Sequence, residues 1–220
     1  MLYWIGKSLS RIVCRVFGRW QVFGRENIPK TGGVMLCGNH VSYIDPPTLG
    51  AGATRPVHFM AKSELFKIPV LGFLIRNVGA FPVKRGTADR GALKKAVDLL
   101  QSGEVVGMFP EGQRNFNPSE LMPPEPGVGM IVLRAGTPVV PVALINTHKL
   151  LRPHSFLLRF SRVKVIFGPP VALDDLYGQS GREAVEEAGR RIMAGIAELM
   201  NRAGGPISPH EQSTRHTPAS

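Results

Sequence analysis

Gly33-Val34-Met35-Leu36-Cys37-Gly38-Asn39-His40-Val41-Ser42-Tyr43-Ile44-Asp45 is the stretch from which this chain is best read. Its first part is a short, unbroken apolar run, the pattern of a strand buried on both faces. Its second part sets an imidazole and a carboxylate five residues apart, beside Asn39, Ser42 and Tyr43, where that strand emerges. Five residues is a poor interval for one face of a straight helix. His40 and Asp45 meet only if the chain turns after His40 and Asp45 reaches back from the start of the next helix. A neutral imidazole can take a proton near neutral pH. A carboxylate on its other ring nitrogen fixes the tautomer and stabilises the cation that forms. A helix-capping Asp beside an ordinary surface histidine would give the same letters, so the meaning of the pair depends on the rest of the chain.

Outward from this stretch, strands and helices alternate. Pro46 and Pro47 suit the first turn of a helix over about 46–51. Val57-His58-Phe59-Met60-Ala61 reads as a second strand. Residues 63–77 look mostly helical and hold Ile68-Pro69-Val70-Leu71-Gly72-Phe73-Leu74-Ile75, too short to span a bilayer. That run lines a groove, touches lipid or packs in the core. Ala80-Phe81-Pro82-Val83 is a short strand leading into Lys84-Arg85-Gly86. Thr87 is the expected cap of the next helix, with Asp89 in its first turn. Leu93, Ala96, Val97 and Leu100 form its buried face, and Gly103 stops it. A buried strand at 105–109 runs into Pro110-Glu111-Gly112-Gln113-Arg114-Asn115. A proline-rich loop over 116–127, a helix at 127–135 ending at Gly136, and strands at 139–145 and 163–168 follow. A last helix covers 181–202, and 204–220 has the composition of a disordered tail. The alternation predicts an α/β fold: a single domain with a central mixed, largely parallel sheet flanked by helices, preceded by an N-terminal amphipathic helix.

That N-terminal segment, 1–20, carries Lys7, Arg11, Arg15 and Arg19 on one side. Leu2, Ile5, Leu9, Ile12, Val13, Val16 and Trp20 fall on the other. The pattern fits a helix lying in a membrane interface, with Tyr3 and Trp4 at the headgroup boundary. A helix packing its apolar face on the domain would show it too. No stretch is long and apolar enough to be expected to span, and the N-terminus lacks the uncharged core of a signal peptide.

The 220 residues carry a formal net charge of +11, which calls for an anionic partner: nucleic acid, membrane headgroups or a phosphorylated substrate. Aromatics are only 7% and are not interleaved with the basic residues as base stacking requires, so nucleic acid is not expected. Cys14 and Cys37 form no metal or redox spacing, and the chain reads as cytosolic. No Gly-x-Ser-x-Gly elbow is present. The histidine would therefore activate a substrate hydroxyl or water directly. Two further strand ends carry chemistry. Phe81-Pro82-Val83-Lys84-Arg85-Gly86 brings two cations near a helix start, suited to phosphate. Phe109-Pro110-Glu111-Gly112-Gln113-Arg114 delivers Glu and Arg to the same kind of edge.

In this order, and followed by Val140-Pro141-Val142, these motifs resemble the PlsC-type glycerolipid acyltransferases over roughly residues 20–175. The resemblance implies an acyltransferase domain over 21–203, with His40 as general base and Asp45 as its orienting partner. It implies Arg85 as a ligand of the acceptor phosphate, and Glu111, Gly112 and Arg114 as acceptor-binding residues. Pro141 falls in a motif tied to the acyl side. The implied reaction moves a fatty acyl group from a CoA or acyl carrier protein thioester to the free hydroxyl of 1-acyl-sn-glycerol 3-phosphate. The implied partners are the lysophospholipid phosphate, the acyl thioester and an anionic membrane surface at the cytoplasmic face, with no metal or cofactor. Glycerol 3-phosphate, another lysophospholipid or a glycolipid as acceptor, water as acceptor, and a non-catalytic membrane-binding role remain open alternatives. Two positions depart from the family pattern: Gln113 stands where Thr is common, and Pro126 where many relatives carry Lys. Both bear on the acceptor and not on the reaction class.

Overall fold

A computed structural model describes residues 2–84, 89–153, 155 and 157–203. The strands β1 (Gln21–Phe23), β2 (Val34–Gly38), β3 (His58–Lys62), β4 (Phe81–Val83), β5 (Val105–Met108), β6 (Val139–Ile145) and β7 (Lys164–Phe167) form one sheet in the order β1-β7-β6-β2-β5-β3-β4. Every pairing is parallel except that of β6 with β7, so the sheet is mixed and largely parallel, as expected. β2 lies inside it and is buried at every position, which is why its sequence is uninterruptedly apolar.

The pleat sends alternate residues of β2 into two cores. Met35 and Cys37 pack with α4 (Arg90–Gln101), α5 (Pro126–Ala135) and α7 (Arg182–Arg202). Val34 and Leu36 pack with Leu49 of α2 (Asp45–Gly52) on the opposite face. Because β2, β4 and β5 run parallel, their C-terminal ends share one edge, and all three motifs follow those ends.

Local chemistry sets the boundaries. α4 opens at Arg90 with Asp89 as its cap: the carboxylate accepts the Ala92 N–H at 3.0 Å. Asp89 thus takes the role expected of Thr87, which lies outside the described residues together with Arg85, Gly86 and Ala88. The expected tail, 204–220, also lies outside them. α5 ends where Gly136 adopts φ 60°. The helical reading of 63–77 divides into a 3₁₀ turn, Ser63–Lys67, and α3 (Pro69–Asn77), because Pro69 opens a new first turn. Two short elements escape the sequence pattern: β1, and the single turn α6 (Thr147–Leu150).

α1 (Leu2–Val16) settles which side of the amphipathic helix faces the domain. It packs its polar flank inward. Lys7 is 6% exposed and donates to the Ala53 carbonyl at 2.8 Å. Arg11 Nε donates to Ala51 O at 3.1 Å, and Arg25 Nε to Gly52 O at 2.9 Å. Three cations therefore satisfy carbonyls at the C-terminus of α2, where the helix dipole is negative. Burial, then the charges of Arg11 and Arg25, push the Lys7 ammonium down to about 8. The apolar flank (Leu2, Trp4, Ile5, Leu9, Ile12 and Val16) is exposed, Leu9 by 60%. So are Ile68 and, on α3, Val70, Leu71, Phe73 and Leu74. The two elements adjoin: a Cβ at Gly6 would lie 3.2 Å from Val78, at the end of α3. Among the described residues no helix is long and apolar enough to cross a membrane.

The tightest helix contact rests on one glycine. A Cβ at Gly129 of α5 would lie 2.3 Å from the backbone oxygen of Val185 in α7. Gly129→Ala must separate the two helices and should cost about 1–3 kcal/mol. A thermal melt should then shift down by several degrees; an unchanged midpoint would show that this contact does not constrain the fold.

Candidate active site

The turn that the sequence required is present, and Asp45 builds it. Asp45 is the first residue of α2 and is fully buried. Its Oδ2 accepts the N–H groups of Val41 at 2.7 Å and Ser42 at 2.6 Å, and lies 2.9 Å from His40 Nδ1. One oxygen thus closes the loop and orients the ring. With Nδ1 held as the donor to a carboxylate, Nε2 is the nitrogen left to accept a proton. The His40 ring stacks on Phe109 at 4.2 Å between centroids, and Phe109 stacks on Phe59 at 6.2 Å. Gly107 admits this stack: a Cβ there would lie 2.3 Å from the Phe59 ring.

The loop is tied to the sheet on both sides. Asn39 continues the pairing of β2 with β6 after the backbone ladder ends, donating to Leu144 O at 3.1 Å and accepting Leu144 N–H at 2.8 Å. Glu111 Oε1 accepts the His40 N–H at 3.0 Å, and the Asn115 N–H donates to His40 O at 2.6 Å. Glu111 Oε2 takes the Asn115 side-chain amide and the Met122 N–H, each at 3.1 Å. Glu111 is 1% exposed, and burial raises its carboxyl above the usual range despite those donors.

The expected site residues therefore separate by position. His40, Asp45, Glu111 and Arg114 come together. Arg114 donates to the Tyr43 hydroxyl at 2.8 Å and lies 3.5 Å over the Tyr43 ring, so its guanidinium stands beside the histidine loop. Gly112 serves the turn: its φ is 67°, and a Cβ would lie 2.5 Å from the Glu125 side chain. Arg85 lies outside the described residues. Pro141 stands in β6 opposite Cys37, on the face of the sheet that packs against α7, where a Cβ at Gly195 would lie 3.3 Å from it. It is not brought to His40. The sequence assigns no role to Asn39, Tyr43, Phe59, Phe109 or Asn115, because only tertiary contact gives them one.

No covalent nucleophile accompanies the dyad among the described residues. The Ser42 hydroxyl is committed to Leu151 O at 2.8 Å. Burial pushes the thiols of Cys14 and Cys37 up, away from the reactive thiolate. The arrangement suits an imidazole that takes a proton from a bound hydroxyl or water.

The family model described as Acyltransferase matches residues 19–145, which hold the dyad and the motifs at the ends of β4 and β5. This chain belongs to the acyltransferase family. It is 29% identical over 202 residues to a 1-acyl-sn-glycerol-3-phosphate acyltransferase of Bacillus subtilis (strain 168), covering 91% of this chain and 98% of that protein. It is 30% identical over 203 residues to the chloroplastic 1-acyl-sn-glycerol-3-phosphate acyltransferase BAT2 of Brassica napus, covering 90% of this chain but 56% of that one. The crystal structure of the 1-acyl-sn-glycerophosphate (LPA) acyltransferase, PlsC, of Thermotoga maritima superposes with a TM-score of 0.70 at 28% identity, over 90% of this chain and 78% of that chain.

In this acyltransferase both Glu111 oxygens are buried and accept N–H groups of the protein. Glu111→Gln keeps the size but must turn an NH₂ group toward a buried N–H donor. Either the His40 N–H or the Met122 and Asn115 donors lose their acceptor, at about 1–3 kcal/mol. The expected outcome is a lower melting temperature and a lower kcat with little change in acceptor KM. A raised KM with an unchanged melt would instead assign Glu111 to acceptor binding.

Proposed function

We propose that this acyltransferase moves a fatty acyl group from a thioester to the free hydroxyl of 1-acyl-sn-glycerol 3-phosphate, giving phosphatidic acid. The observation that carries the reading is the His40–Asp45 dyad without a neighbouring nucleophile, in a chain whose curated relatives are named for this reaction. His40 Nε2 takes the hydroxyl proton as the oxygen attacks the thioester carbonyl. The Asp45 carboxylate at Nδ1 stabilises the imidazolium that forms. The tetrahedral intermediate collapses with loss of the thiolate, which takes the proton back from the imidazolium. General-base help contributes on the order of 10²–10⁴ in rate, and holding donor and acceptor together supplies much of the rest. Arg114, beside the loop, and Arg85 are the cations assigned to the acceptor phosphate.

CoA and acyl carrier protein remain equivalent donors in this reading. The acceptor is a lipid, so the site must work at a bilayer surface. The exposed apolar flank of α1 and the exposed apolar residues of α3, on elements that meet at Gly6 and Val78, form the surface we assign to that contact. Acyl thioesters are cytoplasmic metabolites, so we assign the enzyme to the cytoplasmic face as a peripheral or monotopic protein.

A panel of acceptors with one labelled acyl thioester tests the reading. Lysophosphatidic acid should be preferred over glycerol 3-phosphate, other lysophospholipids and water. His40→Ala should lower transfer by at least about 100-fold in a variant that still folds, with an unchanged circular dichroism spectrum. Full activity in the folded variant would remove the proton-transfer role, and preference for another acceptor would remove the substrate assignment.

A further inference from the structure

The basic stripe of α1 does not act as one unit. Lys7 and Arg11 are consumed by the C-terminus of α2, but Arg15 and Arg19 are exposed and turn elsewhere. Together with Arg25, Trp20 and Val22 they line an open cavity of ≈ 350 Å³. None of the three arginines is in an ion pair among the described residues. Arg25 is anchored from behind by its bond to Gly52 O, and is close enough to Arg11 and Arg15 to feel both charges. Arg19 holds φ 38°, a left-handed conformation unusual for a side chain of its size. That conformation belongs to the turn out of α1, where the Trp20 N–H donates to Cys14 O at 3.2 Å; what suggests a ligand is that three guanidiniums line one cavity with no carboxylate paired to them among the described residues.

We infer that this cavity binds the phosphate group of a membrane phospholipid, at a site distinct from the dyad. Three guanidiniums offer forked donors to a phosphate. β1, which follows Arg19 and Trp20, is separated from β2 by β7 and β6. Three strand spacings, roughly 14 Å across the sheet, thus separate β1 from the strand that carries the histidine loop. A free phosphate and a lipid headgroup share the recognised chemistry. The lipid is favoured by what flanks the cavity: Ile12 and Val16, on the same last turn of α1 as Arg15, are exposed and apolar. Acyl chains can lie along that flank while the phosphate reaches the arginines. The membrane assignment above supplies only the source of the phosphate; the site itself stands on the cavity and its charges.

The test uses the full chain in a Trp4→Phe background, so that Trp20 alone reports. Trp20 emission is titrated with soluble dihexanoyl phosphatidylglycerol and, separately, with inorganic phosphate. A saturable change is expected, at a concentration at least tenfold lower for the lipid. Arg15→Gln/Arg19→Gln should weaken lipid binding roughly tenfold or more, with an unchanged circular dichroism spectrum. Lys30→Gln/Lys95→Gln removes the same charge from exposed positions elsewhere and should change it less than twofold. If both double variants behave alike, or no saturation is seen, the site does not exist. If inorganic phosphate binds as tightly as the lipid, the lipid assignment is overturned. The readout is binding, so failure of the acyl-transfer reading would leave this result intact.

Discussion

A single carboxylate oxygen, Asp45 Oδ2, holds the centre of this protein. It faces the imidazole of His40 and the N–H groups of Val41 and Ser42 at once, from the first turn of α2. A buried carboxylate is costly unless its charge is met; here the donors on Oδ2 and the positive end of a helix offset that cost, although Oδ1 is buried without a hydrogen-bond partner among the described residues. The other end of the same short helix carries Lys7, Arg11 and Arg25 on its carbonyls. α2 is therefore held at both poles, with the negative charge where the dyad needs it. Neither end could be released without disturbing the other, because the helix has only eight residues between them.

Around that oxygen, precision comes from backbone bonds made by side chains. Asn39 clamps the loop to β6, and Glu111 and Asn115 clamp it to the segment after β5. The imidazole gains its orientation from Asp45 on one edge and Phe109 on one face. The motif at the end of β5 consequently contributes to the site in two ways. Its Glu shapes the histidine loop, and its Arg, parked against Tyr43, remains available at the mouth. A motif read as a row of acceptor contacts thus also ties the histidine loop to the sheet, through the buried Glu111.

Much of this was legible in the letters. Apolar runs bounded by Gly and Pro located β2 to β7 within a residue or so, and the pattern is plainest in β2 and β6, which are buried almost throughout. β1 was not legible, since three residues partnered by a strand far along the chain carry no period of their own. Thr87 and Asp89 were both competent caps, and only the backbone showed Asp89 in the role. In the site, the spacing of His40 and Asp45 posed the right question, a turn, but could not supply its donors. Pro141 shows the opposite difficulty. Its motif sits beside the others in sequence order, yet the two-residue pleat sends it to the α7 face.

α1 marks the limit of periodicity as an argument. A helical repeat of apolar and basic residues defines two faces; it does not say which one is inside. That choice is made by the partner surface. The C-terminus of α2 offers open carbonyls at Ala51, Gly52 and Ala53; Lys7 and Arg11 of α1 satisfy two of them and Arg25 the third, which an apolar stripe cannot do. Burying Lys7 carries a cost, visible in its depressed ammonium, and the inward orientation leaves a row of large apolar side chains in solvent. Water alone would favour the reverse packing on both counts. An apolar flank left in solvent points to a destination of its own, and α3, whose end meets α1 at Gly6, also exposes large apolar side chains. Arg15 and Arg19, which α2 cannot reach, then fall at the border between this apolar surface and the arginine-lined cavity. On the lipid site proposed above, that border is where a bound lipid would change from chain to phosphate.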